Sequence, residues 1–125
     1  AELAAAAMTP ALIAQLTALD GRVNDAIRAG DVAGYLSANH AFHFALYEAS
    51  GAGVLIDMAR SMWLRFGPSL RVVATLAGAS GLPDQHAEAL AAMRAGDGAG
   101  LARAMHDDIA QGVEEVRAAL ARGEI

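Results

Sequence analysis

The chain has 125 residues, 55% of them hydrophobic, which is enough for one domain with a sizeable core and too short for two. A formal net charge of −5 leaves no basic surface to hold a nucleic-acid backbone. The absence of cysteine excludes thiolate catalysis, disulfides and zinc–sulfur sites.

Much of the hydrophobic content is alanine, and Ala, Leu, Met, Arg and Glu outweigh the strand-favouring aromatics and Thr. An all-α domain follows. No apolar run approaches 18 residues and no signal peptide opens the chain, so the expectation is a cytoplasmic protein without a membrane span.

Taken in order, residues 1–8 read as the end of a helix that begins outside this sequence, since no capping residue precedes Ala1. Thr9-Pro10 is a helix start, with Thr as N-cap and Pro in the first turn. Leu12, Leu16, Leu19, Val23 and Ile27 then form a helical stripe that Gly30 ends. Asp31 caps a second helix running to about Ser50, before the Gly51-Ala52-Gly53 break. A third helix starts near Val54, with Leu55, Met58, Met62 and Phe66 spaced as a core face, and Trp63 is also expected in the core. Gly67-Pro68 predicts a kink, with apolar residues resuming at Leu70 and Val73. Gly78 to Leu82 is the one sizeable loop. Pro83-Asp84 opens a short helix on which His86, Leu90 and Met93 share a face. Gly96-Asp97 is a stop followed by a new cap. The last helix runs from about Gly98 to Arg122, with Leu101, Met105, Ile109, Gly112, Val116 and Leu120 expected inward.

The chemistry centres on Asn39 and His43. Four residues apart on a helix, they leave one face one turn apart, and that face is otherwise apolar through Val32, Leu36, Leu46 and Tyr47. An imidazole and a carboxamide buried without partners cost about 1–3 kcal/mol each, so something inside the bundle must bind them. His86 heads a second apolar stripe on another helix. Two histidines converging from different helices suit a metal in a bundle core, although a single inward histidine is more often a hydrogen-bonded core residue. Asn39 adds a carbonyl oxygen. The final helix offers His106 and Asp108, on opposite flanks of its apolar stripe, and periodicity does not choose between them. His40 points away from the Asn39–His43 face and reads as a packing or rim residue. Arg65 and Arg71 flank the kink, where an arginine can grip a carboxylate or else pair with an exposed acid. The sequence holds no phosphate loop, no nucleophile elbow and no acid/base dyad, because Asp107-Asp108 and Glu114-Glu115 diverge on a helix. The expectation is not an enzyme.

Asn39-x-x-Phe42-His43, followed by Leu46-Tyr47-Glu48-Ala49-Ser50-Gly51, resembles the C-terminal effector-binding (FCD) domain of FadR-type regulators of the GntR family. His86 through Gly96-Asp97 and Leu64-Arg65-Phe66-Gly67-Pro68 are similar to further segments of that family. The resemblance covers nearly all of residues 1–125. It implies an antiparallel bundle of about six helices holding a divalent metal, such as zinc or nickel, through an acidic or amide residue and three histidines. Carried over by position, these are Asn39, His43 and His86, and an ungapped count supported by Met105 puts the fourth on Asp108 rather than His106. Asn39 thus stands where many relatives have a carboxylate, and Asp108 where they have imidazole. The resemblance further implies a small carboxylate effector contacting the metal and an arginine, here Arg65. It implies a homodimer, and DNA binding only through a winged helix-turn-helix domain absent from this chain. A small metal-dependent helical-bundle enzyme or metal-binding protein is the alternative.

Overall fold

The computed structural model describes residues 8–51, 53–54, 56–65 and 84–123. The expected kink at Gly67-Pro68, Arg71, the Gly78 to Leu82 loop, the helix end at 1–7, and Leu55 and Phe66 all lie outside the described residues. Four helices are defined: α1 Pro10–Ala29, α2 Val32–Ala49, α3 Gln85–Arg94 and α4 Gly98–Ala121. Residues 56–65 form a further helical segment, and no strand occurs among the described residues.

Each helix starts on a short polar side chain folded back onto its first turn. Thr9, Asp31, Asp84 and Asp97 accept from the N–H groups of Leu12, Gly34, Ala87 and Gly100 at 2.8–3.1 Å. Each such cap contributes about 1 kcal/mol. Two of them belong to one repeated device, Gly30-Asp31-x-x-Gly34 and Gly96-Asp97-x-x-Gly100. The first glycine of each takes a left-handed φ, 67° and 68°. That conformation lets the following Asp N–H reach back to Ala26 O at 2.9 Å and to Ala92 O at 2.8 Å. A Cβ on Gly34 or Gly100 would collide with the capping carboxylate. The two turns fold α1–α2 and α3–α4 into antiparallel hairpins, and α1 also packs on α3.

The core lies where these hairpins meet. Leu16, Phe42, Leu46 and Leu101 are fully buried, with Leu19, Ala89, Leu90, Met93, Ala104 and Met105 around them. Burying each Leu or Phe contributes roughly 1.5–3 kcal/mol, while Ala89 and Ala104 let the helices approach closely.

Two sequence expectations shift. Met58 and Met62 are exposed, not core. Their spacing marks an apolar face but not what covers it. Ile109 and Leu120 also point outward, because the buried residues of α4 are Leu101, Ala104, Met105 and Ala119. In addition α4 has 24 residues and α3 only 10. At 1.5 Å per residue α4 outruns its hairpin partner by about 20 Å.

Candidate metal centre

The site is built from one turn of each hairpin. On α1, Asp20 follows Leu16 by one turn and precedes Val23, so a carboxylate lands on the buried stripe. On α2, the Phe42-His43 pair puts both rings inside. On α3, the Asp84 cap starts the helix one residue before buried His86. On α4, Asp108 continues the face of Leu101 and Met105 at steps of four and three.

Nε2 of His43 lies 2.9 Å, and Nε2 of His86 3.7 Å, from the same Asp108 oxygen. One donor atom from each of the three residues falls within 4.8 Å of the other two. The far side of each ring is also engaged. His43 Nδ1 meets the Tyr47 hydroxyl at 3.1 Å, and His86 Nδ1 meets Asp20 Oδ1 at 3.2 Å. Phe42 stacks on His86, centroids 4.0 Å apart and planes 7° apart. Beyond His43, Trp63 stands 6.2 Å away, and His40 stacks on Phe44 at 4.3 Å. Arg60 lies over Phe44 and pairs with Glu48 at 3.1 Å.

Burial alone would raise the Asp108 carboxyl, but hydrogen bonds and charge from both histidines outweigh it and hold the group well below the usual carboxylate range. Burial likewise opposes protonation of His86, yet Asp108 and Asp20 win and raise it. Asp20 is raised by burial and by Asp84, against the pull of His86 and Asn24. Tyr35 is pushed up to about 12 by burial, Asp108 and Glu115.

A pH dependence of the metal-free protein follows. The Asp108 contribution is present above its unfolded value of 3.8 and is lost as pH falls through the folded one. The His86 contribution is complete below 6.5 and is lost as pH rises through its raised folded value. Asp20, raised, works against Asp108 in acid. Thermal melts in chelator should therefore show stability declining as pH rises above 6.5. With zinc the trend should reverse, because the metal competes with the proton for Nε2. Parallel slopes with and without zinc would refute this.

The donor chemistry fits a divalent cation. Zinc binds imidazole nitrogen and carboxylate oxygen at about 2.0–2.2 Å, so donors sharing it stand roughly 3–3.5 Å apart. The two nitrogen–oxygen separations, 2.9 Å and 3.7 Å, bracket that range. Two neutral imidazoles and one carboxylate supply a single negative charge, and Asp20 supplies another behind His86. That carboxylate behind a metal-facing imidazole is a recurrent feature of metal sites.

Of the expected residues, the structure brings His43, His86 and Asp108 together. Asn39 is half-buried one turn before His43 on α2. His106 is not in the group; its side chain is 80% exposed against 24% for Asp108, and it contacts Asp107. Arg65 is exposed. Asp20, Tyr47 and Phe42 escaped the sequence reading as contributors to the site. Asp20 was detectable as a charged residue one turn after Leu16 in an apolar stripe, and Tyr47 by its spacing of four from His43. A groove of about 540 Å³ runs beside α4, lined by Gln85, Asp107, Glu114 and Glu115 among others. Its acidic rim has the wrong sign for an organic anion.

The chain is similar to known regulators. It is 32% identical over 68 residues to the HTH-type transcriptional regulator McbR of Escherichia coli (strain K12), a match covering 54% of this chain and 31% of that protein. The solved structure of E. coli McbR/YncC superposes with a TM-score of 0.78 at 26% identity, over 93% of this chain and 56% of the other. The chain thus spans less than two thirds of the length of McbR. The FCD domain family matches residues 1–111, and with that match covering most of its length, the chain belongs to the FCD domain family.

Proposed function

We propose that this chain is the ligand-sensing domain of a GntR/FadR-type transcriptional regulator, not an enzyme. In this reading a divalent metal is held by His43, His86 and Asp108, with Asn39 as a fourth donor. The metal offers a Lewis-acidic point to which a small carboxylate effector binds, and Arg65 is the anion partner on the neighbouring segment. DNA would be contacted by a separate helix-turn-helix domain, of the kind named in McbR, in a cytoplasmic homodimer. Effector binding alters DNA affinity only if the effector binds two arrangements of the dimer unequally.

The observation that carries the reading is the convergence of two imidazole Nε2 atoms from α2 and α3 on one α4 carboxylate oxygen. If His86 gives its Nδ1–H to Asp20, its Nε2 presents a lone pair to an ionised oxygen. Two acceptors facing each other call for a cation between them, either a proton or a metal. The similarity to a transcriptional regulator favours sensing over catalysis.

Trp63, the one tryptophan of the chain, makes a direct test possible. With its ring 6.2 Å from that of His43, cobalt(II) should quench its emission strongly with an end-point at one equivalent, and zinc should block the quench. Small mono- and dicarboxylates are then screened by thermal shift on the zinc-loaded and metal-stripped protein. A stabilising carboxylate that acts only with zinc supports the sensor. Zinc binding with no response to any carboxylate would count against it, and absence of a cobalt quench would remove the metal.

A further inference from the structure

We propose that Asp20 is a positioning residue for the metal centre: by accepting the Nδ1–H of His86, its carboxylate commits the Nε2 lone pair of that ring to the point where His43 and Asp108 converge. The inference rests on the metal reading above.

Asp20 is 9% exposed on a helix face whose other buried members are Leu16, Leu19, Val23 and Ala26. A charged group at such a position costs stability unless it is partnered, so its presence calls for a reason. Its two oxygens are assigned. Oδ1 lies 3.2 Å from His86 Nδ1 and Oδ2 lies 3.4 Å from Asn24 Nδ2, so a neighbour one turn along α1 steadies the carboxylate that meets the ring. The stacked face of Phe42 fixes the remaining freedom of the imidazole.

The two histidines are held differently. His43 takes its Nδ1 partner, Tyr47, from its own helix four residues on, so local helix geometry sets that ring. The partner of His86 is 66 residues away on another helix. The orientation of His86 therefore depends on α1 being docked against α3. A neutral imidazole carries one N–H, and the nitrogen that donates it cannot ligate a metal. Placing the acceptor at Nδ1 leaves Nε2 as the ligating atom, and the negative charge behind the ring increases its basicity.

The competing role is a plain staple between α1 and α3, next to the Arg94–Thr17 hydrogen bond that also joins them. Asp20→Asn and Asp20→Ala separate the two. Zinc affinity is measured by competition with a chromophoric chelator, and melting of the metal-free proteins is measured alongside. The ring-nitrogen shifts of His86, read by NMR on metal-free protein, report its tautomer. A positioning role predicts zinc affinity about 10–100-fold weaker in Asp20→Ala. It also predicts a smaller loss in Asp20→Asn, whose amide oxygen still accepts from Nδ1, and a His86 tautomer mixture in the alanine variant alone. Wild-type affinity in both variants with a lowered melting temperature would overturn the proposal and leave the staple, with the metal reading intact. Failure of the wild-type protein to bind zinc would remove both.

Discussion

His86→Ala should lower zinc affinity by at least about 100-fold, the upper end of what outer-shell changes achieve and thus a floor for loss of a ligand. That is about 2.7 kcal/mol of binding free energy. The variant also removes the partner of buried Asp20 and one side of the Phe42 stack. An unsatisfied buried polar group costs about 1–3 kcal/mol, so the metal-free variant should melt below the metal-free wild type. The gap should widen when zinc is added, because ligand that binds only the native state stabilises it by mass action. Calorimetric titration and paired melts read both effects. A gap unchanged by zinc would mean that His86 is a core residue and nothing more.

Phe42→Ala should be the most damaging single core change, costing about 3–5 kcal/mol. Phe42 is fully buried at the junction of the two hairpins and is the largest fully buried side chain among the described residues. Its removal leaves a cavity bounded by main-chain helices that cannot close. A fall in melting temperature of about 10 °C or more is expected. Phe42→Leu keeps most of the volume and should cost far less, while still weakening zinc binding because the flat face against His86 is gone. A loss below about 1 kcal/mol for the alanine variant would show that the hairpin junction is not the centre of the core.

Where the sequence was a good guide, and where it was not, follows from the kind of signal used. Helix boundaries were legible because they depend on local groups: Thr9, Asp31, Asp84 and Asp97 each cap the helix that they were expected to start. His86, Leu90 and Met93 share a buried face as their spacing required. On α4, Ile109 and Leu120 drew the apparent stripe one residue, or 100°, away from the true face. This is why Asp108 looked like a flank position when it follows Leu101 and Met105 inward. The resemblance, not periodicity, pointed to it. Asp20 went unnoticed because its partner is 66 residues away, and helical spacing carries no information about which helices meet. Met58 and Met62 illustrate the same gap from the other side, an apolar face without a stated neighbour. Among the described residues, no helix is long and apolar enough to cross a membrane.

Metal content of the protein as purified, without chelator or histidine tag, tests the central claim most directly. Elemental analysis should find close to one equivalent of a divalent transition metal per wild-type chain, and little in Asp108→Ala. A wild-type protein free of metal that also fails to take up zinc, nickel or cobalt when these are supplied would contradict the account. The same geometry would then describe two histidines and two aspartates sharing protons in the core.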